Sequence, residues 1–198
     1  MTQQRIQGAP ERGPLRKVAY GMARKRLGRV PEPFAVTAHH TKLFSAMSGF
    51  EWALEHSKAV PVRYKALAEL RAAMVVGCEF CVDIGSMIAR QSGLSDDELK
   101  DLIDWQASER FDEKDKLVLA YSDAISGTPV EVPDELFTQL REHFDEEQLV
   151  ELTASIAWEN WRARFNWAFG LGEEGYSEGA YCVPVLVGNG ASAADDTR

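Results

Sequence analysis

Long apolar runs are absent from this chain, which limits the places where the protein can reside. Hydrophobic residues make up 45% of the sequence, but no stretch approaches the ~20 consecutive apolar residues that a helix needs to span a bilayer. Residues 1–14 are polar and basic and lack the apolar segment of a secretory signal. The sequence therefore predicts a cytoplasmic protein with no membrane partner.

Cysteine is scarce, with three residues among 198. Two of them form the pair Cys78-Glu79-Phe80-Cys81, directly after Gly77. Side chains three residues apart lie one above the other on a helix, so the two sulfurs can close a disulfide. Thiol–disulfide exchange needs that arrangement, and in a reducing compartment such a pair is more often catalytic or metal-binding than a structural crosslink.

Histidine is equally sparse, and this argues against a metal site. A closed zinc site needs about four ligands, of which the cysteine pair supplies two. The remaining candidates are scattered and form no second tight pair: Cys182, His39, His40, His56 and His143. We therefore expect no metal and no other cofactor.

Basic residues are outnumbered by acidic ones, but their distribution is uneven. The net charge of −9 makes a nucleic-acid partner unexpected. Residues 1–30 nevertheless contain a single acid, Glu11, and eight basic residues: Arg5, Arg12, Arg16, Lys17, Arg24, Lys25, Arg26 and Arg29. This basic N-terminal arm either docks on an anionic partner or faces solvent or an acidic patch of the same protein. We favour the second interpretation because charge runs alone are weak evidence.

Strand-like alternation is missing, whereas helical periodicity runs through nearly every segment. Capping boxes at Ser95/Glu98 and Asp145/Gln148 mark two helix starts. We expect one all-α helical domain over 31–172, after the arm (1–30) and before a C-terminal tail (173–198) with a disordered end. The predicted helices cover 14–28, 34–56 with a break near Gly49, 61–76, 78–91, 95–105, 112–126, 133–143 and 145–169.

The last predicted helix carries aromatic side chains on two faces. One face holds a bulky stripe of Trp158, Trp161, Phe165 and Phe169, for which core packing is the simplest interpretation. The other face carries Asn160, Arg164 and Trp167, which fit a substrate pocket or a subunit contact equally well. We therefore predict a homo-oligomer and assign these three residues, with Phe80, as candidate substrate-binding residues.

The cysteine motif and its surroundings resemble the carboxymuconolactone decarboxylase family, in particular its alkylhydroperoxidase-D-like branch. The resemblance covers roughly residues 35–170 and is strongest over 60–99. It rests on three stretches: Leu67-Ala68-Glu69-Leu70-Arg71 through Gly77-Cys78-Glu79-Phe80-Cys81-Val82-Asp83-Ile84-Gly85, then Gly93-Leu94-Ser95-x-x-Glu98, and Asn160-x-x-x-Arg164-Phe165-Asn166. It implies an oligomeric alkylhydroperoxidase-D-like helical bundle whose cysteine pair reduces peroxides and is re-reduced by a dithiol electron donor.

The proton-transfer residues of that branch are replaced in this chain. The family has a glutamate twelve residues before the first cysteine, where this chain has Ala66. Its histidines just before the second cysteine and four residues after it correspond to Phe80 and Gly85. Glu69, one helical turn beyond Ala66, is a candidate for a relocated acid, although an exposed helix carboxylate is the commoner role for glutamate.

Two functional hypotheses follow. The first is a thiol-dependent oxidoreductase that reduces peroxides or disulfides through Cys78 and Cys81. The resemblance implies that Cys81 attacks and Cys78 resolves, whereas a cysteine in the first helical turn often has the more accessible sulfur, so the roles stay open. The second is a catalytically degenerate member that binds a small molecule or serves as an oligomeric scaffold. The replacements at Ala66, Phe80 and Gly85 support it, and the retained cysteine pair opposes it, although cysteine is also a common buried residue.

Overall fold

The computed structural model describes residues 4–178 and 180–186, and this part of the chain is helical without strands. The predicted all-α class is confirmed. The helices are α1 (Pro14–Leu27), α2 (Glu32–Thr37), α3 (Thr41–His56), α4 (Val62–Val76), α5 (Glu79–Gln91), α6 (Asp96–Asp101), a 3₁₀ turn (Leu102–Asp104), α7 (Glu113–Ser126), α8 (Asp134–His143) and α9 (Glu146–Phe169). None of the described helices is long and apolar enough to cross a membrane.

Most predicted helices begin and end within two residues of the observed ones, because capping residues that are recognisable in the sequence specify their ends. Both predicted capping boxes are present, at Ser95/Glu98 and at Asp145/Gln148. The break near Gly49 is wrong, since α3 runs through it without interruption. The chain breaks between α2 and α3 instead, where the Nδ1 atom of His40 accepts a hydrogen bond from the Leu43 amide and starts the new helix.

Helix α4 is the centre of the fold. It packs against α5, α7 and α9, and most of its side chains are buried. The small residues Ala68, Ala72 and Ala73 are no more than 1% exposed and let the neighbouring helices approach closely. Its one inward lysine, Lys65, is paired with Glu151 of α9 at 2.6 Å. This packing holds the end of α4, and the cysteine pair that follows it, at a fixed place beside α9.

The aromatic stripe of α9 lies at the surface rather than in the core, so the core interpretation is wrong. Trp158, Trp161, Phe165 and Phe169 form a ladder of successive ring contacts with centroids 4.8–4.9 Å apart. Trp161 is 38% exposed and the other three are half-buried. Helix α3 covers only the start of this stripe, where Phe50 meets Trp158 with ring centroids 4.6 Å apart and Glu51 accepts a hydrogen bond from the Trp158 indole.

Both ends of the described chain fold back onto the helices. The N-terminal arm forms a small core of its own with α2 and α3, and the Arg5 amide donates to the Phe169 carbonyl at the end of α9. Residues 171–178 and 180–186, here called the C-terminal strap, run along α5, and the Leu186 amide donates to the Met74 carbonyl. The predicted disorder at the end of the tail concerns residues 187–198, which lie outside the described part.

Candidate active site

The cysteine pair lies where α4 turns into α5. Gly77 ends α4 in the left-handed conformation with φ 79°, which a side chain disfavours. Cys78 is the N-cap of α5, and its sulfur accepts a hydrogen bond from the Cys81 amide at 3.2 Å. The two sulfurs are joined as a disulfide across a Cα–Cα distance of 5.2 Å, well within the usual range. The sequence therefore places both sulfurs at the amide-rich end of a helix.

Both cysteines face the interior. Cys78 is 2% exposed and Cys81 is 5% exposed, so the expectation that the first-turn sulfur is the more accessible one is wrong. The side-chain amide of Asn166, itself buried on α9, donates toward both sulfurs, 3.5 Å from Cys78 Sγ and 3.4 Å from Cys81 Sγ. The sulfurs are thus enclosed between α5 and the last turn of α9, with one polar group aimed at them.

Trp167 stands beside the pair at the protein surface. It is 48% exposed, its indole N–H donates to the Val76 carbonyl at 3.1 Å, and its ring lies 3.9 Å from the place where a Cβ on Gly77 would be. An aromatic ring next to a buried reactive group is a suitable surface for an apolar substrate. Trp167 is the predicted substrate-binding residue whose surroundings fit that role best.

The other predicted binding residues are engaged within the fold. Phe80 is 7% exposed and meets Tyr176 of the strap edge-on. Asn160 is buried and donates to Ser126 Oγ at 2.9 Å, and Arg164 is exposed and donates to the Asn160 side-chain oxygen. Substrate binding by these three residues stays a prediction.

The C-terminal strap is anchored to the side of α5 that faces away from the sulfurs. The buried Asp83 carboxylate accepts hydrogen bonds from the backbone amides of Glu174, Tyr176 and Ser177 at 2.7–3.0 Å. Further along, the Val183 amide donates to Ser86 Oγ at 3.2 Å. These bonds hold α5 between the strap and the core, so the strap supports the cysteine helix from behind.

Burial raises the pKa of two ionisable side chains of the strap, Tyr176 and Cys182. Desolvation raises the pKa of Tyr176 to about 12, and the nearby Glu174 carboxylate adds to the shift. Desolvation also raises the pKa of the Cys182 thiol, which is half-buried beside Ser86. Cys182 is therefore the less reactive kind of thiol at neutral pH, since the thiolate is the nucleophile.

A second polar cluster begins on α9 one to two turns before Asn166 and joins this helix to α3 and α4. Arg162 of α9 contacts three carboxylates: Glu51 of α3 at 3.1 Å, Glu69 of α4 at 3.1 Å and Glu159 of α9 at 2.8 Å. Burial raises the pKa of Glu69 and raises that of Glu159 to about 8, although Arg162 opposes both shifts. Glu69, the predicted relocated acid, is half-buried, and its partner here is Arg162 rather than a cysteine.

The raised pKa of Glu159 predicts how stability depends on pH. Between its ordinary value of 4.5 and about 8 the folded protein keeps a proton that the unfolded chain releases. Stability should therefore fall as pH rises through this window, with a slope of up to about 1.4 kcal/mol per pH unit, and level off above it. Glu159→Gln should flatten that fall, as measured by urea unfolding at several pH values.

Glu151 provides a matched control on the same helix. It is buried too, and its pKa is lowered: burial raises it, but the hydrogen bonds from Lys65, Ser57 and the Val60 amide outweigh that effect. Glu151→Gln should therefore remove stability that is present at neutral pH and lost on acidification, which is the opposite dependence. Parallel pH curves for the parent and Glu159→Gln would contradict the assignment.

Sequence reasoning missed several residues of this region. Asn166 and Asp83 lie within the stretches that carry the resemblance but received no structural role, and Glu159 was not singled out. The signal for Asn166 was helical spacing: it lies one turn after Arg162 on α9, so the two polar side chains share one face of the helix. Among the described residues no group of three or more His, Cys, Asp or Glu side chains is arranged to hold a metal ion.

Comparison with known proteins places the cysteine pair within a known family. The model of the carboxymuconolactone decarboxylase family matches residues 41–124, which include both cysteines. The uncharacterised protein YnjA of Escherichia coli is 39% identical over 155 residues, covering 77% of this chain and 84% of YnjA. A relative of that identity and coverage shares the fold and the family.

Solved structures show the same architecture. A protein of unknown function from Agrobacterium tumefaciens, described as a candidate AhpD antioxidant defence protein, is 28% identical, with a TM-score of 0.66 over 70% of this chain and 94% of that one. The debrominase Bmp8 superposes with a TM-score of 0.79 at 21% identity, over 88% of this chain and 95% of Bmp8. At that identity the likeness to Bmp8 concerns the fold alone.

Proposed function

Because the chain belongs to the carboxymuconolactone decarboxylase family as an alkylhydroperoxidase-D-like member, we propose that it is a thiol-dependent oxidoreductase that reduces peroxides or disulfides through Cys78 and Cys81. The observation that carries the proposal is the pair itself: two sulfurs in disulfide contact at a helix N-terminus, with Asn166 donating toward both. A helix N-terminus stabilises thiolate over thiol, and the thiolate is the reactive form.

The reaction balances with a peroxide and a dithiol. One cysteine thiolate attacks the peroxide, so a sulfur–oxygen bond forms, the oxygen–oxygen bond breaks, and the departing alkoxide takes up a proton. The second cysteine then attacks the oxidised sulfur, forming the disulfide and releasing water. A dithiol donor returns two electrons by exchange, and the sum is reduction of the peroxide to an alcohol and water at the expense of the donor.

Proton supply is the step in which this chain differs from the family pattern. A positioned acid typically contributes ~10²–10⁴-fold to such a reaction. Glu69 is proposed for this role because it lies on α4, the helix that leads to Cys78, and because desolvation raises its pKa although Arg162 opposes that shift. Comparing the peroxide turnover of Glu69→Gln with that of the parent tests this assignment.

A redox titration tests the proposed function. The protein is equilibrated in glutathione buffers of different poise, quenched with an alkylating reagent and analysed by peptide mass spectrometry. We expect one two-electron transition that protects Cys78 and Cys81 together while Cys182 stays alkylated throughout. If the Cys78–Cys81 disulfide never forms, or never opens reversibly, in the folded protein, the proposed redox function is wrong.

The scaffold hypothesis is the second proposal, and the burial of both cysteines favours it. A sulfur that is 2–5% exposed meets a bulky donor only after neighbouring side chains move. A scaffold predicts that replacing Cys78 leaves ligand binding and assembly unchanged, whereas an oxidoreductase loses turnover. The substrate panel should include a bromopyrrole beside peroxides and disulfides, because a structure of the debrominase Bmp8 contains 2,3,4-tribromopyrrole.

Assembly into a homo-oligomer is also part of this proposal. The exposed aromatic residues Phe50, Trp52 and Trp161, between 38% and 62% exposed, are of a kind enriched at protein interfaces. Light scattering at micromolar protein concentration should give a mass of two or more times the 22.1 kDa of one chain. A strictly monomeric particle would contradict this part of the proposal.

A further inference from the structure

We propose that Asn166 is a catalytic residue of the dithiol centre: its side-chain amide stabilises the Cys78 thiolate together with the Cys81 backbone amide, and these two donors make Cys78, rather than Cys81, the attacking sulfur. This inference rests on the proposed function, because it assigns roles within the same site. It starts from a polar group that the fold would otherwise have little reason to bury.

Asn166 is 3% exposed, and its Nδ2 atom lies 3.5 Å and 3.4 Å from the two sulfurs. A buried amide costs free energy unless it is hydrogen-bonded, and neutral sulfur is only a weak acceptor. The contact becomes much stronger when the sulfur is anionic, since hydrogen bonds to charged groups contribute roughly twice as much as neutral ones. The position therefore favours the reduced, ionised pair over a neutral one.

The two sulfurs do not receive the same number of donors. Cys78 Sγ accepts from the Asn166 amide and also from the Cys81 backbone amide at 3.2 Å, at the N-terminus of the 13-residue helix α5. Cys81 Sγ has only the Asn166 contact in the described structure. Negative charge is thus better stabilised on Cys78, even though Glu79 beside it opposes a second negative charge. This outcome differs from the order of attack that the family resemblance implies.

The same donors also match the chemistry of the later steps. When Cys81 attacks the oxidised Cys78 sulfur, the Cys78–oxygen bond breaks, and the leaving hydroxide takes up a proton to become water. When the dithiol donor opens the disulfide by attacking Cys81, the leaving group is the Cys78 thiolate, which accepts both hydrogen bonds. A more stable leaving thiolate departs faster. Asn166 therefore acts both in the oxidation half-reaction and in the reduction half-reaction.

The test measures Cys78 alone, in a protein that carries Cys81→Ser and Cys182→Ser. The ultraviolet absorbance of the thiolate is followed against pH, and Asn166→Ala is expected to move the midpoint upward by about one unit or more, from ~1.5–3 kcal/mol for a hydrogen bond to a charged group. Asn166→Asp keeps the size but replaces the donor by a negative oxygen, so its midpoint should lie above that of Asn166→Ala.

Asn160→Ala is the matched control, because Asn160 is a buried asparagine of the same helix that bonds Ser126 rather than sulfur. It should leave the midpoint unchanged. An unmoved midpoint in Asn166→Ala, or an Asp variant below the Ala variant, would overturn the inference. The midpoint is measured without turnover, so the expected order combined with no activity on any peroxide or disulfide would defeat the proposed function and leave only the stabilisation of the Cys78 thiolate by Asn166 standing.

Discussion

Cys78→Ser should abolish peroxide turnover with a dithiol donor, a loss of about 10³-fold or more, as expected when a nucleophile is removed. Serine is nearly the same size, so the N-cap of α5 and the surrounding core should remain intact. Cys81→Ser should behave differently: the attacking sulfur remains, and the protein should consume one equivalent of peroxide and then stall because no second thiol displaces the oxygen. Rapid mixing followed by a peroxide assay distinguishes a burst from steady turnover.

Cys182→Ser is the control for both variants. Cys182 is half-buried on the strap, where desolvation raises its thiol pKa, and the mechanism assigns it no step. Its replacement should leave the turnover rate within a factor of about two, which corresponds to less than ~0.5 kcal/mol of barrier. Equal rates in the parent and in Cys78→Ser would favour the scaffold hypothesis instead.

Asp83→Ala should produce the largest loss of stability among the substitutions considered. The Asp83 side chain is buried and is the acceptor for three backbone amides of the strap. Hydrogen bonds to a charged group contribute ~1.5–3 kcal/mol each, although the contributions are not additive. We expect the free energy of unfolding to fall by about 3 kcal/mol, or the strap to detach at a similar free energy.

Urea unfolding measures the first outcome, and limited proteolysis at residues 171–178 measures the second. Asp97→Ala is the control, since Asp97 is an exposed aspartate whose side-chain partners, Lys100 and Arg110, are themselves half exposed or more. It should change stability by less than ~0.5 kcal/mol, as surface substitutions usually do. An Asp83→Ala protein with parental stability and a protease-resistant strap would show that the strap is held by other contacts.

The helices could be predicted from the sequence because their signals are local. Ser95 with Glu98 and Asp145 with Gln148 satisfy the first amides of a helix whatever surrounds them, and both capping boxes form as predicted. His40 was missed as a cap because a ring nitrogen seldom takes that role. The break near Gly49 failed for the converse reason: the intrinsic cost of a glycine in a helix is only ~1 kcal/mol, which tertiary packing readily outweighs.

The parts of the site that consist of neighbours in sequence were the easiest to predict. The spacing of Cys78 and Cys81 was sufficient to place two sulfurs together, whereas Asn166 reaches them from a helix 85 residues further along. The aromatic ladder shows the same limit, since periodicity groups Trp158 and Trp161 on one face but does not tell whether that face is covered. Burial and long-range pairing, as between Glu69 and Arg162, depend on how α4 and α9 pack.

A single-turnover stoichiometry most directly tests the claim that the cysteine pair is a working redox couple. Fully reduced protein is mixed with one equivalent of peroxide without oxygen or donor, and the cysteines are alkylated and identified by mass spectrometry. The account predicts one Cys78–Cys81 disulfide formed for each peroxide consumed, with Cys182 still free. Unconsumed peroxide and three alkylated cysteines in the folded protein would contradict it.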